Sequence, residues 1–330
     1  MIGLLLIAAM LGTPQAGTAA LSEARRLINE GQPARAIEQL KTVEAGKDPA
    51  LQLQVGLLLG VAHYHADQPV QAVEALMAIV DRLPPDSMER REAEQVLGLA
   101  AVVAGRYADA VPHLEATRRW APGNAQLAYA LAQAYIQTRN AAGARTTLAG
   151  MFKVAPESAA AHLVAAQVMT RLEMDALAEP ELAKALEKDP RLPSVNLLLG
   201  QIALFRGRIA DAIAFTSKEI AINPASAVAF SQLGDAYVRQ SQWDEAIVSL
   251  QKSIWLNPYY SAPYILLGRA YLKKEQPAVA EGMLRRAIEF DPNNRTAHYQ
   301  LAQLLQQAGR EEEAKREFEV AERLRGARER

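Results

Sequence analysis

The sequence predicts an all-α fold, a right-handed superhelical solenoid built from tandem helix-turn-helix hairpins. The first observation is a repeated pair in which a small residue is followed twelve positions later by an alanine. The small residues of the nine pairs are Ala24, Gly60, Gly98, Ala132, Ala166, Gly200, Gly234, Gly268 and Ala302. From Gly98 onward the period is 34 residues, with a proline in register at Pro122, Pro156, Pro190, Pro224, Pro258 and Pro292. A fixed period of this length is typical of stacked repeats, so the 330 residues are expected to form one array without a separate globular domain.

Each unit contains two helical segments. In residues 225–260 the apolar residues recur at three- and four-residue steps in two runs, which the polar pair Ser241-Gln242 separates and Asn257-Pro258 ends. This periodicity predicts two amphipathic helices, A and B, joined by a short turn.

The turn between helices A and B carries the residues that such a turn needs. Glycine, which adopts a positive φ at little cost, stands at one shared offset in four repeats. These glycines are Gly31, Gly105, Gly207 and Gly309. Two residues further on, Pro33, Pro69 and Pro277 are expected in the first turn of helix B, where a missing N–H group costs nothing.

The residues at fixed offsets resemble a known family. The pattern Phe230-x-x-Leu233-Gly234-x-x-Tyr237, followed by Trp243-x-x-Ala246, Leu250 and Asn257-Pro258, is similar to the tetratricopeptide repeat (TPR). The resemblance covers about nine repeats and nearly the whole chain after residue 20, and it leaves no room for a catalytic domain. It implies structural roles for Gly98, Gly200, Gly234, Gly268, Ala246, Ala280, Pro258 and Pro292. At such helix crossings a small residue lets two backbones approach, and a larger side chain is expected to overpack the contact.

Two departures from the pattern concern backbone geometry. The first two intervals are 36 and 38 residues, and the extra residues lie around 47–49 and 85–88. These places are joins between hairpins, where loops tolerate insertions. Pro112 and Pro180 lie beyond the expected first turn of helix B, so a late helix start or a kink is expected there.

Repeat 5 departs furthest from the pattern in the second half of the chain. Ala166, Met169 and Glu173 stand where other repeats have glycine, tyrosine and the turn glycine. The array is therefore expected to bend or soften near residues 160–180.

The N-terminus differs from the repeats. Met1–Leu11 is apolar and a small-residue stretch follows at 16–20, a pattern that predicts a signal peptide, residues 1–20, cleaved ahead of Leu21. The apolar core of about eight residues is shorter than the roughly 20 that a membrane span needs, so no stable span is expected after cleavage. The array, residues 21–330, is then exported, periplasmic or secreted. No Lys or Arg precedes the apolar run, so an uncleaved anchor, or a cytoplasmic chain without a functional signal, remains an alternative.

Composition argues against several kinds of chemistry. The chain has no cysteine, which excludes disulfides, thiolate metal sites and cysteine nucleophiles. Its net charge of −1 gives no overall attraction to nucleic acid, and no nucleic-acid partner is expected. No Ser-His-Asp arrangement, phosphate-binding glycine loop or paired-carboxylate motif is present. The sequence predicts a non-enzymatic chain with no catalytic residue and no cofactor.

The histidines do not predict a metal site either. His63-x-His65 with Asp67 is the one suggestive cluster among the five histidines, but alternate residues of a helix point well apart. His63 also occupies the offset that Tyr237 holds in its repeat, which favours a packing role.

The resemblance implies that helix A of each repeat lines a concave groove. In tetratricopeptide arrays the residue after the small residue of helix A faces this groove, and here that series is Arg25, Val61, Leu99, Gln133, Gln167, Gln201, Asp235, Arg269 and Gln303. Four residues further on, the series is Asn29, His65, Val103, Gln137, Arg171, Phe205, Arg239, Lys273 and Gln307. The candidate groove residues are Gln133, Gln167, Gln201, Asp235, Arg269, Gln303, Gln137, Arg171, Arg239 and Lys273.

The groove residues suggest a peptide ligand. A side-chain amide both donates to and accepts from an extended backbone, so Gln133, Gln167 and Gln201 would form a ladder for a ligand strand. The basic residues of the second half suit an acidic segment or a terminal carboxylate. The alternative is that these residues only decorate solvated helix faces, as Gln, Arg and Lys commonly do.

Together these features predict a scaffold that binds a peptide or protein segment in its groove, in an extracytoplasmic assembly such as envelope biogenesis, secretion or pilus construction. The alternative is an accessory subunit of an enzyme system, for example in glycan or polysaccharide processing, that delivers substrate to a separate catalytic chain. Oligomeric state, ligand and pathway are left open by the sequence.

Overall fold

The predicted all-α array of hairpins is confirmed. The computed structural model describes residues 14–43, 46 and 48–328, and eighteen α-helices follow one another in these ranges. Repeats 1–4 consist of α1 (Pro14–Asn29), α2 (Pro33–Lys41), α3 (Pro49–His65), α4 (Pro69–Met77), α5 (Met88–Val103), α6 (Tyr107–Trp120), α7 (Ala125–Gln137) and α8 (Ala141–Phe152). Repeats 5–9 consist of α9 (Ala159–Arg171), α10 (Asp175–Lys188), α11 (Val195–Phe205), α12 (Ile209–Ile222), α13 (Ala227–Arg239), α14 (Trp243–Leu256), α15 (Ser261–Lys273), α16 (Pro277–Phe290), α17 (Arg295–Gln307) and α18 (Glu311–Arg328). Odd-numbered helices are the A helices and even-numbered helices are the B helices.

The helices form two compact units. Unit 1 ends at Met169 and unit 2 begins at Thr170, so the division falls inside α9, in the repeat that departs furthest from the pattern. Helices α1–α8 of unit 1 and α10–α18 of unit 2 each pack on their neighbours in sequence, and some A helices also pack on the next A helix, as α3 does on α5 and α13 does on α15. This nearest-neighbour packing is the arrangement expected of stacked repeats.

Four glycines of the A helices lie directly against a leucine of the following B helix. A Cβ atom added at Gly60 would lie 2.3 Å from Leu76 Cγ, and one added at Gly234 would lie 2.5 Å from the side chain of Leu250. A Cβ atom added at Gly98 would lie 2.7 Å from Leu114 Cγ, and one added at Gly268 would lie 2.8 Å from Leu284 Cγ. These leucines are fully buried, so each crossing is a glycine of helix A seated on a leucine of helix B.

The turn between helices A and B has the same backbone in every repeat. The four predicted glycines have φ values of 72–73°. The other five repeats place a non-glycine residue at this offset, and each of these also has a positive φ: Asp67, Arg139, Glu173, Ser241 and Glu275, at 57–62°. The left-handed turn is therefore a property of the repeat, and only four repeats carry the residue that adopts it without strain.

The other local signals also fit the structure. Pro33, Pro69 and Pro277 each begin a B helix, as predicted. Helices α5 and α7 are capped by Ser87 and Asn124, whose side chains accept hydrogen bonds from backbone N–H groups of the first turn. The inserted residues of the first two intervals precede α3 and α5, at joins between hairpins.

The expectation of a late helix start near Pro112 and Pro180 is wrong. α6 begins at Tyr107 and α10 begins at Asp175, so both helices start in register and continue through the proline. The fixed φ of proline is compatible with a helix, and flanking packing tolerates the one lost backbone hydrogen bond.

Candidate functional site

In unit 2 the last two A helices present the groove candidates together. Arg269 and Lys273 lie one turn apart on α15, and Gln303 and Gln307 lie at the equivalent positions on α17. All four side chains are exposed. They line a shared groove of about 320 Å³, which is open to solvent on the A-helix side.

The two cations of this groove have no compensating anion. Among the described residues, neither Arg269 nor Lys273 makes a hydrogen bond or an ion pair, whereas Lys274 beside them pairs with Asp244. A guanidinium and an ammonium one helical turn apart produce a local positive potential. Because the site is concave, its low-dielectric walls focus the electric field of these charges. The groove therefore carries a positive charge that no described carboxylate neutralises.

Three lining residues were not among the predicted candidates. Leu272 and Leu304 form an apolar floor, and Gln300 adds a third amide one turn before Gln303. The Gln300 Oε1 atom is buried and has no hydrogen-bond partner among the described residues. The apolar spacing of α17 could have flagged Leu304, but nothing in the pattern singles out Gln300.

The preceding repeat is neutral at the same positions. On α13, Arg239 forms an ion pair of 3.1 Å with Asp235 and also donates to the carbonyl oxygen of Leu204 at 3.1 Å. Both residues were groove candidates, and the structure shows that they satisfy each other. Of the basic residues predicted for the second half, Arg269 and Lys273 of repeat 8 are thus the two that lie one turn apart without a compensating carboxylate among the described residues.

The remaining candidates are spread over both units. In unit 2, Arg171 and Gln201 are exposed. In unit 1, Gln167 is exposed, while Gln133 and Gln137 are half-buried. The predicted glutamine ladder is therefore divided, with Gln133 and Gln167 in unit 1 and Gln201 in unit 2.

The A-helix face at the start of unit 1 has a different character. Val61 is buried and Leu99 is half-buried, so these groove positions are apolar. Arg25 on α1 makes a bidentate ion pair with Glu92 on α5, including an Nη2–Oε2 distance of 2.7 Å. This pair ties the A helices of repeats 1 and 3 together and neutralises the one cation of this series in unit 1.

An ion-pair network holds the groove of unit 2 from its B-helix side. Arg310 donates to both Glu281 oxygens, at 2.9 and 2.8 Å, and to Glu313, while Arg285 pairs with the same two carboxylates. Partial burial alone would raise the pKa of Glu281, but the hydrogen bonds from Arg285 and Arg310 outweigh it and leave that pKa below its usual value. The network joins α16 to the start of α18, which are the B helices of the two repeats whose A helices carry the groove.

His298 anchors α17 at its other end. The ring is 6% exposed, its Nδ1 atom lies 2.6 Å from Glu317 Oε2, and its Nε2 atom lies 2.9 Å from the carbonyl oxygen of Pro292. These contacts hold the helix that carries Gln300, Gln303 and Gln307 against α18.

Other features offer less to a specific ligand. A larger open concavity of about 1080 Å³ lies along α18, where Phe318 is surrounded by side chains of both charges, including Glu319 and Lys315. His63 Nδ1 lies 2.7 Å from Gln68 Oε1, and the part of the chain that the structure describes contains no cluster of three His, Asp or Glu residues that would hold a metal ion. No described helix is long and apolar enough to cross a bilayer.

Comparison with known proteins agrees with the repeat pattern. A family model described as tetratricopeptide repeat matches residues 101–168 and 271–325. A search of curated proteins returned no significant match.

Solved structures of similar architecture share little sequence with the chain. A crystal structure of MamA is 24% identical over 49% of this chain and 95% of that chain, with a TM-score of 0.44. MamA from Desulfovibrio magneticus RS-1 is 20% identical over 51% and 96%, with a TM-score of 0.46. YrrB, described as a TPR protein with an unusual peptide-binding site, is 20% identical over 56% and 93%, with a TM-score of 0.44. Because these scores lie below 0.5, they add no weight to the assignment.

The matched segments cover repeats in both units, and the unmatched repeats share the left-handed turn and the small residue of helix A, although the first two intervals are 36 and 38 residues. The chain is a tandem array of hairpins with the tetratricopeptide repeat architecture, and the family model itself matches residues 101–168 and 271–325.

Proposed function

We propose that this protein is a non-enzymatic scaffold that binds a peptide or protein segment in the groove between α15 and α17. The observation that carries the proposal is the pair of uncompensated cations, Arg269 and Lys273, in a cavity shared with three glutamine amides. Neighbouring cations such as Lys274 and Arg310 are paired with carboxylates, whereas Arg269 and Lys273 are left available to a ligand.

The groove offers three kinds of contact to a segment. Arg269 and Lys273 would hold a side-chain or terminal carboxylate through charge-assisted hydrogen bonds. Gln303 and Gln307, one turn apart on α17, would bond to the backbone of an extended chain without requiring a particular sequence. Leu272 and Leu304 would receive a small apolar side chain. Several weak contacts of this kind give recognition by shape and charge.

A fluorescent peptide tests this proposal. The probe is tetraglutamate with an amidated C-terminus, and tetraglutamine is its uncharged twin. Fluorescence anisotropy is expected to show binding of tetraglutamate alone, weakened on the order of tenfold or more by Arg269→Ala with Lys273→Ala, since charged hydrogen bonds contribute roughly 1.5–3 kcal/mol each.

The matched control replaces two exposed cations of unit 1, Arg35→Ala with Lys41→Ala. It removes the same number of positive charges at positions distant in sequence from the groove, and it is expected to leave the affinity for tetraglutamate unchanged. Equal affinities for all three proteins would overturn the groove as the binding site. Equal binding of tetraglutamine would overturn the role of the carboxylate.

We also propose that the protein works outside the cytoplasm, in a cell-envelope, secretion or pilus-type assembly. The apolar residues Met1–Leu11 and the small residues at 16–20 support an export signal, of which residues 1–13 lie outside the described part of the chain. The packing of α1 is compatible with cleavage ahead of Leu21, because the buried residues of its described part are Leu21, Ala24, Leu27 and Ile28. Removing residues 1–20 would leave this core in place.

Export is tested by sequencing the N-terminus of the protein isolated from its native host and by cell fractionation. A mature chain that begins at Leu21 in the extracytoplasmic fraction is expected. A chain that retains Met1 and fractionates with the cytoplasm would overturn this part of the proposal and leave the groove proposal standing.

A further inference from the structure

The outer face of α14, opposite the helices it packs on, exposes unusually large side chains. Ala246, Leu250 and Ser253 form its buried stripe. On the opposite side Val248 is 68% exposed and Trp255 is 72% exposed. Tyr259, in the following loop, is 76% exposed. A water-facing helix surface gains nothing from a tryptophan, a tyrosine and a valine in one stripe, so this surface is a candidate interface.

The rings of this stripe continue onto the next B helix. The Tyr259 ring meets Phe290 of α16 edge-on, with centroids 5.6 Å apart, and Arg286 lies 6.0 Å from the Phe290 ring. Lys252 places its Nζ atom 3.7 Å from the centre of the Trp255 ring. We call the set Val248, Lys252, Trp255, Tyr259, Arg286 and Phe290 the aromatic patch.

The charges around the aromatic patch repeat with the array. Lys218, Lys252 and Arg286 are spaced by 34 residues, so three successive B helices carry a cation at one position. Lys218 lies over the ring of Phe215, as Lys252 does over Trp255. Arg286 forms an ion pair of 3.0 Å with Glu289. Among the described residues, neither Lys218 nor Lys252 has a carboxylate within ion-pair distance.

Carboxylates are sparse on the α12 and α14 parts of this surface. In residues 214–225 and 248–260 the one acidic residue is Glu219, which is 1% exposed and therefore does not reach the surface. The charge of the α12 and α14 outer faces in these ranges is consequently positive, although the whole chain has a net charge of −1. An anionic partner is the one that this surface complements.

We propose that the aromatic patch docks the protein onto an anionic membrane surface. Tryptophan and tyrosine are the residues that favour the water–lipid interface, because the ring enters the headgroup layer while the polar group stays hydrated. Lysines with apolar stems reach anionic headgroups from the same depth. Val248 adds aliphatic surface, which a lipid layer buries and a hydrated acidic polymer does not. The proposal concerns the B-helix face and is independent of the groove between α15 and α17.

Vesicle sedimentation tests the proposal with the full chain. The probes are phosphatidylcholine vesicles that contain phosphatidylglycerol, and vesicles of phosphatidylcholine alone. Wild type is expected to sediment with the anionic vesicles and far less with the neutral ones. Lys218→Gln with Lys252→Gln is expected to weaken binding on the order of tenfold or more, since each lysine near an anionic surface contributes appreciably, and Trp255→Ser is expected to weaken it at unchanged charge.

The control variant is Lys41→Gln with Lys315→Gln, which removes two charges from other surfaces and should bind as wild type does. Tryptophan fluorescence gives a second measurement, because Trp120 and Trp243 are half-buried and Trp255 is the exposed tryptophan. A blue shift on adding anionic vesicles, absent in Trp255→Ser, is expected.

Three results would overturn the proposal: no sedimentation with anionic vesicles, equal binding by the patch and control variants, or binding to soluble polyglutamate through the patch with none to vesicles. The last result would assign the patch to an acidic polymer. Circular dichroism melting of each variant separates loss of binding from loss of folding.

Discussion

The A-helix faces of the two units carry an arginine at the same position of the repeat, but one arginine is ion-paired and the other is not. Arg25 in repeat 1 is neutralised by Glu92, which comes from the A helix two repeats further on. Arg269 in repeat 8 has no such partner among the described residues and faces a groove with Lys273. One is an internal tie between helices, and the other is available to a ligand.

The difference shows how position in a repeat array decides the role of a residue. A side chain on helix A can be met by residues of the next repeat and of the one after it. In the repeat after repeat 8, the residues that line the groove beside Arg269 are glutamines and a leucine, and none of them supplies a carboxylate. Charge in a TPR groove therefore depends on what the later repeats provide, and repeat register alone does not determine it.

The largest expected effect comes from breaking one unit at a time. Gly234→Leu would drive a side chain into Leu250, and Gly60→Leu would do the same to Leu76, at added-Cβ distances of 2.5 and 2.3 Å. Each is expected to lower the free energy of unfolding by about 1–3 kcal/mol or more, measured by urea denaturation. Gly234→Leu should also abolish tetraglutamate binding, and Gly60→Leu should spare it.

Gly282 provides the matched control for these variants. A Cβ atom added there meets nothing within 4 Å, so Gly282→Ala in α16 is expected to be neutral or slightly stabilising. If Gly60→Leu abolished peptide binding as completely as Gly234→Leu, the assignment of binding to unit 2 would fail.

A second variant gives the groove of unit 2 the internal partner that Arg25 has in unit 1. Gln303→Glu places a carboxylate in the groove beside Arg269 and Lys273. It is expected to weaken tetraglutamate binding on the order of tenfold by occupying the cations, with the unfolding midpoint nearly unchanged. Gln306→Glu, on the same helix but outside this groove, is the control, and equal losses from both variants would show that net charge alone was responsible.

Acid is expected to loosen the support of the groove. The pKa of Glu281 lies below its usual value, and the pKa of Glu313 is lowered by its hydrogen bond from Arg310. A carboxylate whose pKa is depressed by folding stabilises the fold above its unfolded-state pKa of about 4.5, and this contribution is lost as the pH falls through the folded-state value. Unfolding midpoints measured from neutral to acidic pH should therefore fall less in Glu281→Gln than in wild type. Parallel curves would show that Glu281 does not contribute to the loss of stability in acid.

The turns between helices A and B allow a smaller stabilising change. Glu275 has a φ of 57°, whereas Gly105 and Gly207 relieve the same conformation without a Cβ atom. Glu275→Gly is expected to raise the free energy of unfolding by roughly 1 kcal/mol, as measured by urea denaturation, since the folded backbone already fits glycine. Glu275→Ala removes the same charge and keeps the strain, so an equal gain from alanine would show that charge was the cause.

Sequence and structure agree where the repeat itself carries the information. The period places all nine hairpins, and the seating of Gly234 on Leu250 follows from the need for close backbones at a crossing. Glycine marks four of the nine left-handed turns, while residues such as Arg139 and Glu275 adopt the same φ without any local signal because flanking helices impose it.

The candidate site was predictable only in part. The register located Arg269, Lys273 and Gln303, but pairing across repeats determined which cations are free, as Asp235 and Arg239 illustrate. Gln300 entered the groove through the packing of α17, which a single repeat does not reveal.

The smallest expected effect tests the opening comparison directly. Arg25 and Glu92 are 39% and 32% exposed, so Glu92→Gln should cost no more than about 1 kcal/mol of folding free energy, because exposed ion pairs contribute little. Its informative readout is binding, measured in a background that carries Arg269→Ala with Lys273→Ala. Freeing Arg25 is expected to leave tetraglutamate binding weak, since Val61 and Leu99 offer no second cation and no amide beside it. If adding Glu92→Gln to this background restored wild-type affinity, one free arginine on an A-helix face would be sufficient for binding. Arg269, Lys273 and the neighbouring amides would then not be the binding site.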